Sequence, residues 1–129
     1  MDTQQIIQYW LKTSEDDIRV AQHLYEAKDY PQALFFGHLF LEKILKALVV
    51  QATGEHAPGI HKLLRLANLA GLELTESQKE FLLKVTAYNI EGRYPDELLS
   101  VKDKYSETYC REELNKIKEL VQWLKTGIR

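Results

Sequence analysis

The chain has 129 residues, 45% hydrophobic and 28% charged, with a formal net charge of −2. That length suits one domain around one core, and the balance is that of a globular protein rather than a disordered one. The small net charge gives no general electrostatic drive toward duplex nucleic acid, and the single cysteine, Cys110, excludes an internal disulfide and fits a reducing cytoplasm.

Apolar residues recur at helical spacing along nearly the whole chain. The first segment, about Thr3 to Ala27, carries Ile7, Trp10, Leu11, Ile18, Ala21, Leu24 and Tyr25 on one face. It opens without a basic region or an apolar stretch, so no signal peptide is expected. Asp29-Tyr30-Pro31 interrupts it, and Pro31 suits the first turn of a second helix, about Pro31 to Ala52. Apolar residues cover most of that helix, which predicts a central position with neighbours on several sides. His38, Glu42, Lys43 and Lys46 interrupt the apolar run, so no membrane span fits. Gly37 costs about 1 kcal/mol against alanine inside a helix, which predicts a close helix approach there. Gly54 is a natural stop.

A loop over residues 54–59 leads to a short helix from about His61 to Ala70. Thr75-x-x-Gln78 forms a capping box for a helix from about Glu76 to Ile90. Gly92-Arg93-Tyr94-Pro95-Asp96 cannot continue it, because proline ends a helix and holds the preceding residue extended. The last helix runs from about Lys104 to Lys125, with Cys110, Leu114, Ile117, Leu120, Val121 and Leu124 inward. The expectation is an all-α, up-and-down bundle of four long helices and one short helix, forming a single domain over residues 1–129.

Two constellations stand out as chemistry. His38, Glu42 and Lys46 follow one another at i and i+4 and share a stripe, with Lys43 flanking. The stripe faces either water, with Glu42 paired to Lys46, or a polar cleft between helices that can hold a ligand. Tyr88, Arg93, Tyr94 and Asp96 crowd a helix break. There, arginine and aromatic rings either pin the loop or hold a phosphate and a base. His61 is expected to satisfy free backbone groups at the start of the third helix. Arg19 and His23, four apart, form a plausible surface stack. The histidine spacings match no metal rule, and no phosphate loop or hydrolase motif is present. Neither a metal nor a cofactor is expected.

The order His38-x3-Glu42-Lys43-x2-Lys46, then His61-Lys62-Leu63-Leu64, then Tyr88-x4-Arg93-Tyr94-Pro95-Asp96 resembles the HEPN family over about Ser14 to Trp123. The resemblance implies a helical bundle, commonly a homodimer, encoded beside a minimal nucleotidyltransferase in toxin–antitoxin or defence modules, with related domains binding nucleotides. By motif match Glu42, Lys43, Lys46, His61, Arg93, Tyr94 and Asp96 occupy the family's recurring polar positions. Members that cut RNA carry an R-x4-6-H motif. Here no histidine follows Arg93, Arg65 or Arg111 at that spacing, and Arg19-x3-His23 is one residue short. The resemblance therefore implies a cytoplasmic, non-catalytic domain that binds a nucleotide or phosphate-bearing ligand, or a nucleotidyltransferase partner. The alternatives are a ribonuclease with a divergent site built from His38, His61 and Arg93, and a purely structural dimerisation bundle.

Overall fold

The computed structural model describes residues 2–91 and 105–129, and among them the chain is helical without a strand. Five helices follow in order: α1 (Thr3–Glu26), α2 (Tyr30–Thr53), α3 (Leu63–Leu69), α4 (Glu76–Glu91) and α5 (Glu107–Lys125). Among the described residues, the four-long, one-short pattern expected from periodicity is the one observed. Three ends, Thr3, Glu76 and Lys125, fall where expected, and the others shift by one to three residues, the usual scatter at frayed termini.

Local chemistry explains the ends. Asp2 caps α1 with a reciprocal box, its carboxylate accepting from the Gln5 N–H while the Gln5 side chain accepts from the Asp2 N–H. Thr75 and Gln78 do the same at the start of α4, as their spacing predicts. Helix α1 ends in a Schellman turn. The Asp29 N–H reaches the Leu24 carbonyl at 2.9 Å and the Lys28 N–H reaches Tyr25 at 3.0 Å. The left-handed position in that turn is Lys28, at φ 66°, whereas α2 and α3 end on Gly54 and Gly71.

Helix α2 is the hub. It packs against all four other helices, and Leu34, Leu41, Ile44, Leu45 and Val50 on it are fully enclosed. Burying each such side chain contributes about 1.5–3 kcal/mol, which makes α2 the main source of cohesion. The expected role of Gly37 is also observed. A Cβ built there would meet Leu114 Cδ2 at 3.0 Å and Ile117 Cδ1 at 3.1 Å, so the missing side chain lets α5 lie close on α2. At the far end of the α1–α2 hairpin, Ile6 and Ile7 pack with Ala47 and Val50. No helix among the described residues is long and apolar enough to cross a membrane.

Candidate functional site

The polar stripe of α2 does not face water. His38, Glu42 and Lys46 are 0%, 3% and 6% exposed, so the stripe is enclosed between helices, and the Glu42–Lys46 pair expected of it forms there rather than at a solvent edge. Most of the helix is apolar and neighbours cover it on several sides, which leaves no solvent edge for the stripe to occupy.

Glu42 is the node. One carboxylate oxygen accepts the His61 Nδ1–H at 2.7 Å, and the other lies 3.1 Å from the Lys46 ammonium. His61 comes from the loop between α2 and α3, and its backbone carbonyl accepts the His38 Nε2–H at 3.2 Å. His38 Nδ1 is sealed away without a hydrogen-bond partner. Burial holds the His38 imidazole below its ordinary pKa, against the opposing pull of the nearby Glu42 charge. The Lys46 ammonium also stands 5.3 Å over the Trp10 ring of α1. Beside this node Lys43 reaches back to α1 and pairs with Asp17 at 2.7 Å. Burial pushes the Asp17 carboxyl above its ordinary range and outweighs the stabilising Lys43 charge.

The structure therefore brings His38, Glu42, Lys46 and His61 into one cluster, with Lys43 next to it. His61 does not satisfy the free amides of α3 as its position suggested. The Leu63 N–H is taken instead by the Thr86 hydroxyl at 3.2 Å, which frees the imidazole for Glu42. Arg19 pairs with Asp16 at 2.7 Å, three residues before it on the surface of α1. Arg93, Tyr94 and Asp96 lie outside the described residues, as does the helix break that carries them.

Tyr88 belongs to a different cluster. It is 1% exposed, donates its hydroxyl to Glu113 Oε1 at 2.5 Å, and shares a 2.6 Å hydrogen bond with the Tyr109 hydroxyl. Lys84 and Lys116 complete the set at 2.9 and 3.4 Å from the two Glu113 oxygens. Burial alone would raise the Glu113 carboxyl, but the Tyr88 and Lys84 hydrogen bonds and the two lysine charges hold it below its ordinary range. Burial and the neighbouring Glu113 push the Tyr88 hydroxyl far above its ordinary value, so it remains a neutral donor.

Sequence reading missed Trp10, Asp17, Lys84, Tyr109 and Glu113 as site residues. Trp10 was legible only as a member of an amphipathic face, and Asp17 carried no signal of its own. Glu113 carries a weak signal, as a carboxylate at i−1 to Leu114 and i−4 to Ile117 on the inward side of α5. No group of three or more His, Cys, Asp or Glu among the described residues is arranged to hold a metal.

An all-helical bundle centred on one buried helix, with an acid–lysine pair on that helix answered by a histidine from the following loop, defines a class of small helical domains. The model of the HEPN domain matches residues 7–127, and the chain belongs to that family. Two solved structures are similar. TT1696 from Thermus thermophilus is 26% identical with a TM-score of 0.75, the match covering 93% of this chain and 96% of that one. ST0689, described as an archaeal HEPN homologue, is 22% identical with a TM-score of 0.65 over 95% and 98% of the two chains, a likeness of fold. No curated protein matches.

Proposed function

We propose that this HEPN domain is a non-catalytic binding module. It takes a nucleotide or another phosphate-bearing ligand and acts with a minimal nucleotidyltransferase in a toxin–antitoxin or defence-type pair. The observation that carries the reading is the missing R-x4-6-H motif, together with the enclosure of His38. A ribonuclease needs a histidine that can exchange a proton with the phosphodiester. His38 is enclosed with its Nε2–H on a backbone carbonyl, and His61 is tied through Nδ1 to Glu42. His38 serves the fold, whereas His61 keeps an exposed ring with Nε2 open; what argues against cleavage is that no arginine stands before it in an R-x4-6-H motif. Arg93 remains the cation expected to meet a phosphate, with Tyr94 beside it.

Homodimerisation belongs to the same proposal. Leu83 and Ile90, seven residues apart on α4, are each 59% exposed, an apolar stripe of the kind that pairs with a second copy. The reading is tested by calorimetry with nucleoside mono-, di- and triphosphates, together with incubation of the purified protein with RNA. Arg93-dependent binding and intact RNA support it. Metal-independent RNA cleavage that disappears in Arg93→Ala replaces it with the ribonuclease reading. Copurification with a nucleotidyltransferase encoded beside the gene tests the partner.

A further inference from the structure

Helix α2 holds one residue of the following loop at two points. His38 donates its Nε2–H to the His61 backbone carbonyl at 3.2 Å, and His61 donates its Nδ1–H to Glu42 Oε1 at 2.7 Å. The Glu42 side chain is 4% exposed and the His61 side chain 47%, so the ring is anchored from beneath and open above. A hydrogen bond at one ring nitrogen decides which tautomer is present. With the proton fixed on Nδ1, the Nε2 lone pair stands bare on the open side of the ring. The His38 bond already ties the loop to α2, so the buried carboxylate adds something a tether does not need: a fixed nucleophilic nitrogen facing outward.

The surroundings of that nitrogen are cationic. Lys62 follows His61 directly, and Arg65 stands in the first turn of α3. Both are exposed, and among the described residues neither takes part in an ion pair. Other cations on the surface are spent on neighbouring carboxylates, as Arg19 is on Asp16, Lys79 on Glu76, Arg111 on Glu107 and Lys125 on Glu15. Two unspent cations beside an outward imidazole nitrogen suit an electrophile that carries negative charge.

We propose that His61 is a modification site, accepting a phosphoryl group on Nε2 from an acyl phosphate. The Nε2 lone pair forms the N–P bond while the P–O bond to the acyl oxygen breaks, and that electron pair leaves on the released carboxylate. No proton has to move, because a carboxylate is a stable leaving group. The ring becomes an imidazolium that keeps its Nδ1–H on Glu42, and the buried carboxylate stabilises the new positive charge as it holds the ring in place. Lys62 and Arg65 meet the phosphoryl oxygens with charge-assisted hydrogen bonds. The proposal goes beyond the binding reading and does not depend on it, since neither Arg93 nor a bound nucleotide takes part.

The test is incubation of the full chain with acetyl phosphate at neutral pH, read by mass spectrometry and phosphorus NMR. One phosphoryl group per chain should appear on His61, and NMR should place it on Nε2. It should form at least tenfold faster than at His23 or His56, which are exposed but whose rings no carboxylate holds among the described residues. His61→Gln should abolish the label. Lys62→Gln with Arg65→Gln, at exposed positions where the fold is preserved, should slow it at least fivefold. Label spread evenly over the three histidines, label on His61 Nδ1, an unchanged rate in the double variant, or no label at all would each overturn the proposal. Arg93-dependent nucleotide binding stands or falls separately, by calorimetry.

Discussion

Glu42 on α2 accepts the Nδ1–H of His61 at 2.7 Å, so a residue of the central helix holds the loop that leads into α3. The same carboxylate neutralises Lys46, which is 6% exposed and would otherwise be a charge enclosed without a partner. Removing one member of a buried pair costs more than the pair itself contributes. Glu42→Ala should therefore lower stability by about 3 kcal/mol, and Glu42→Ala with Lys46→Met should recover part of the loss. Urea unfolding measures both. A single-variant loss below about 0.5 kcal/mol would mean that water reaches Lys46 and the node is not enclosed.

Three groups, His38, Glu113 and Asp17, give stability a dependence on acid. His38 has a folded pKa below its ordinary 6.5, so in mildly acid solution the unfolded chain binds the extra proton. Its contribution is complete above about pH 6.5 and declines as pH falls through that value toward the folded pKa. Glu113, held below its ordinary 4.5, contributes above that value and loses its contribution as pH falls further. Asp17, raised above 3.8 by burial, acts in the opposite sense and softens the second step. His38→Gln, which keeps a donor for the His61 carbonyl, should flatten the stability profile between about pH 7 and pH 5.5, the range around the ordinary histidine value. Coincident parent and variant slopes across that range would assign the step elsewhere.

The α2–α5 approach at Gly37 can be probed by adding atoms. Alanine improves helix propensity by about 1 kcal/mol, while forcing Leu114 and Ile117 to give way costs about 1–3 kcal/mol. Gly37→Ala should lose about 1 kcal/mol net, and Gly37→Val should lose several times as much. Thermal unfolding decides this. A valine variant as stable as the parent would show that the two helices can slide apart freely.

Lys28 occupies the left-handed position of a Schellman turn that glycine occupies at the end of α3. An L side chain there is strained by about 1 kcal/mol, and glycine's freer unfolded state offsets about half of that, so Lys28→Gly should stabilise the protein by about 0.5 kcal/mol. Equilibrium denaturation reads the gain directly. A loss would indicate that the Lys28 side chain makes a stabilising contact in solution.

The apolar stripe on α4 gives an assembly prediction. Sedimentation at tens of micromolar should show a homodimer, and Leu83→Glu with Ile90→Glu should yield a folded monomer. A parent chain that sediments as a monomer removes the homodimer from the proposal.

The sequence alone determined the helices and their order. A 3.6-residue apolar period, the Thr75–Gln78 box, Pro31, Gly54 and Gly71 are local signals, and each acts over a few residues of chain. Gly37 was readable in the same way, because a helix-weakening glycine in an apolar helix needs a packing reason. Periodicity also placed His38, Glu42 and Lys46 on one stripe, but it is silent on what lies opposite a stripe. Only the tertiary structure decided that the stripe is covered, that His61 from 19 residues away completes it, and that Trp10 and Asp17 of α1 flank it. Tyr88 shows the same limit from the other side. Its neighbours in sequence pointed to the helix break, whereas the chain folds its hydroxyl onto Glu113, 25 residues on. Hydrogen bonds and ion pairs act at about 3 Å in space regardless of separation along the chain, so their partners are set by how helices pack against α2 and not by any local pattern.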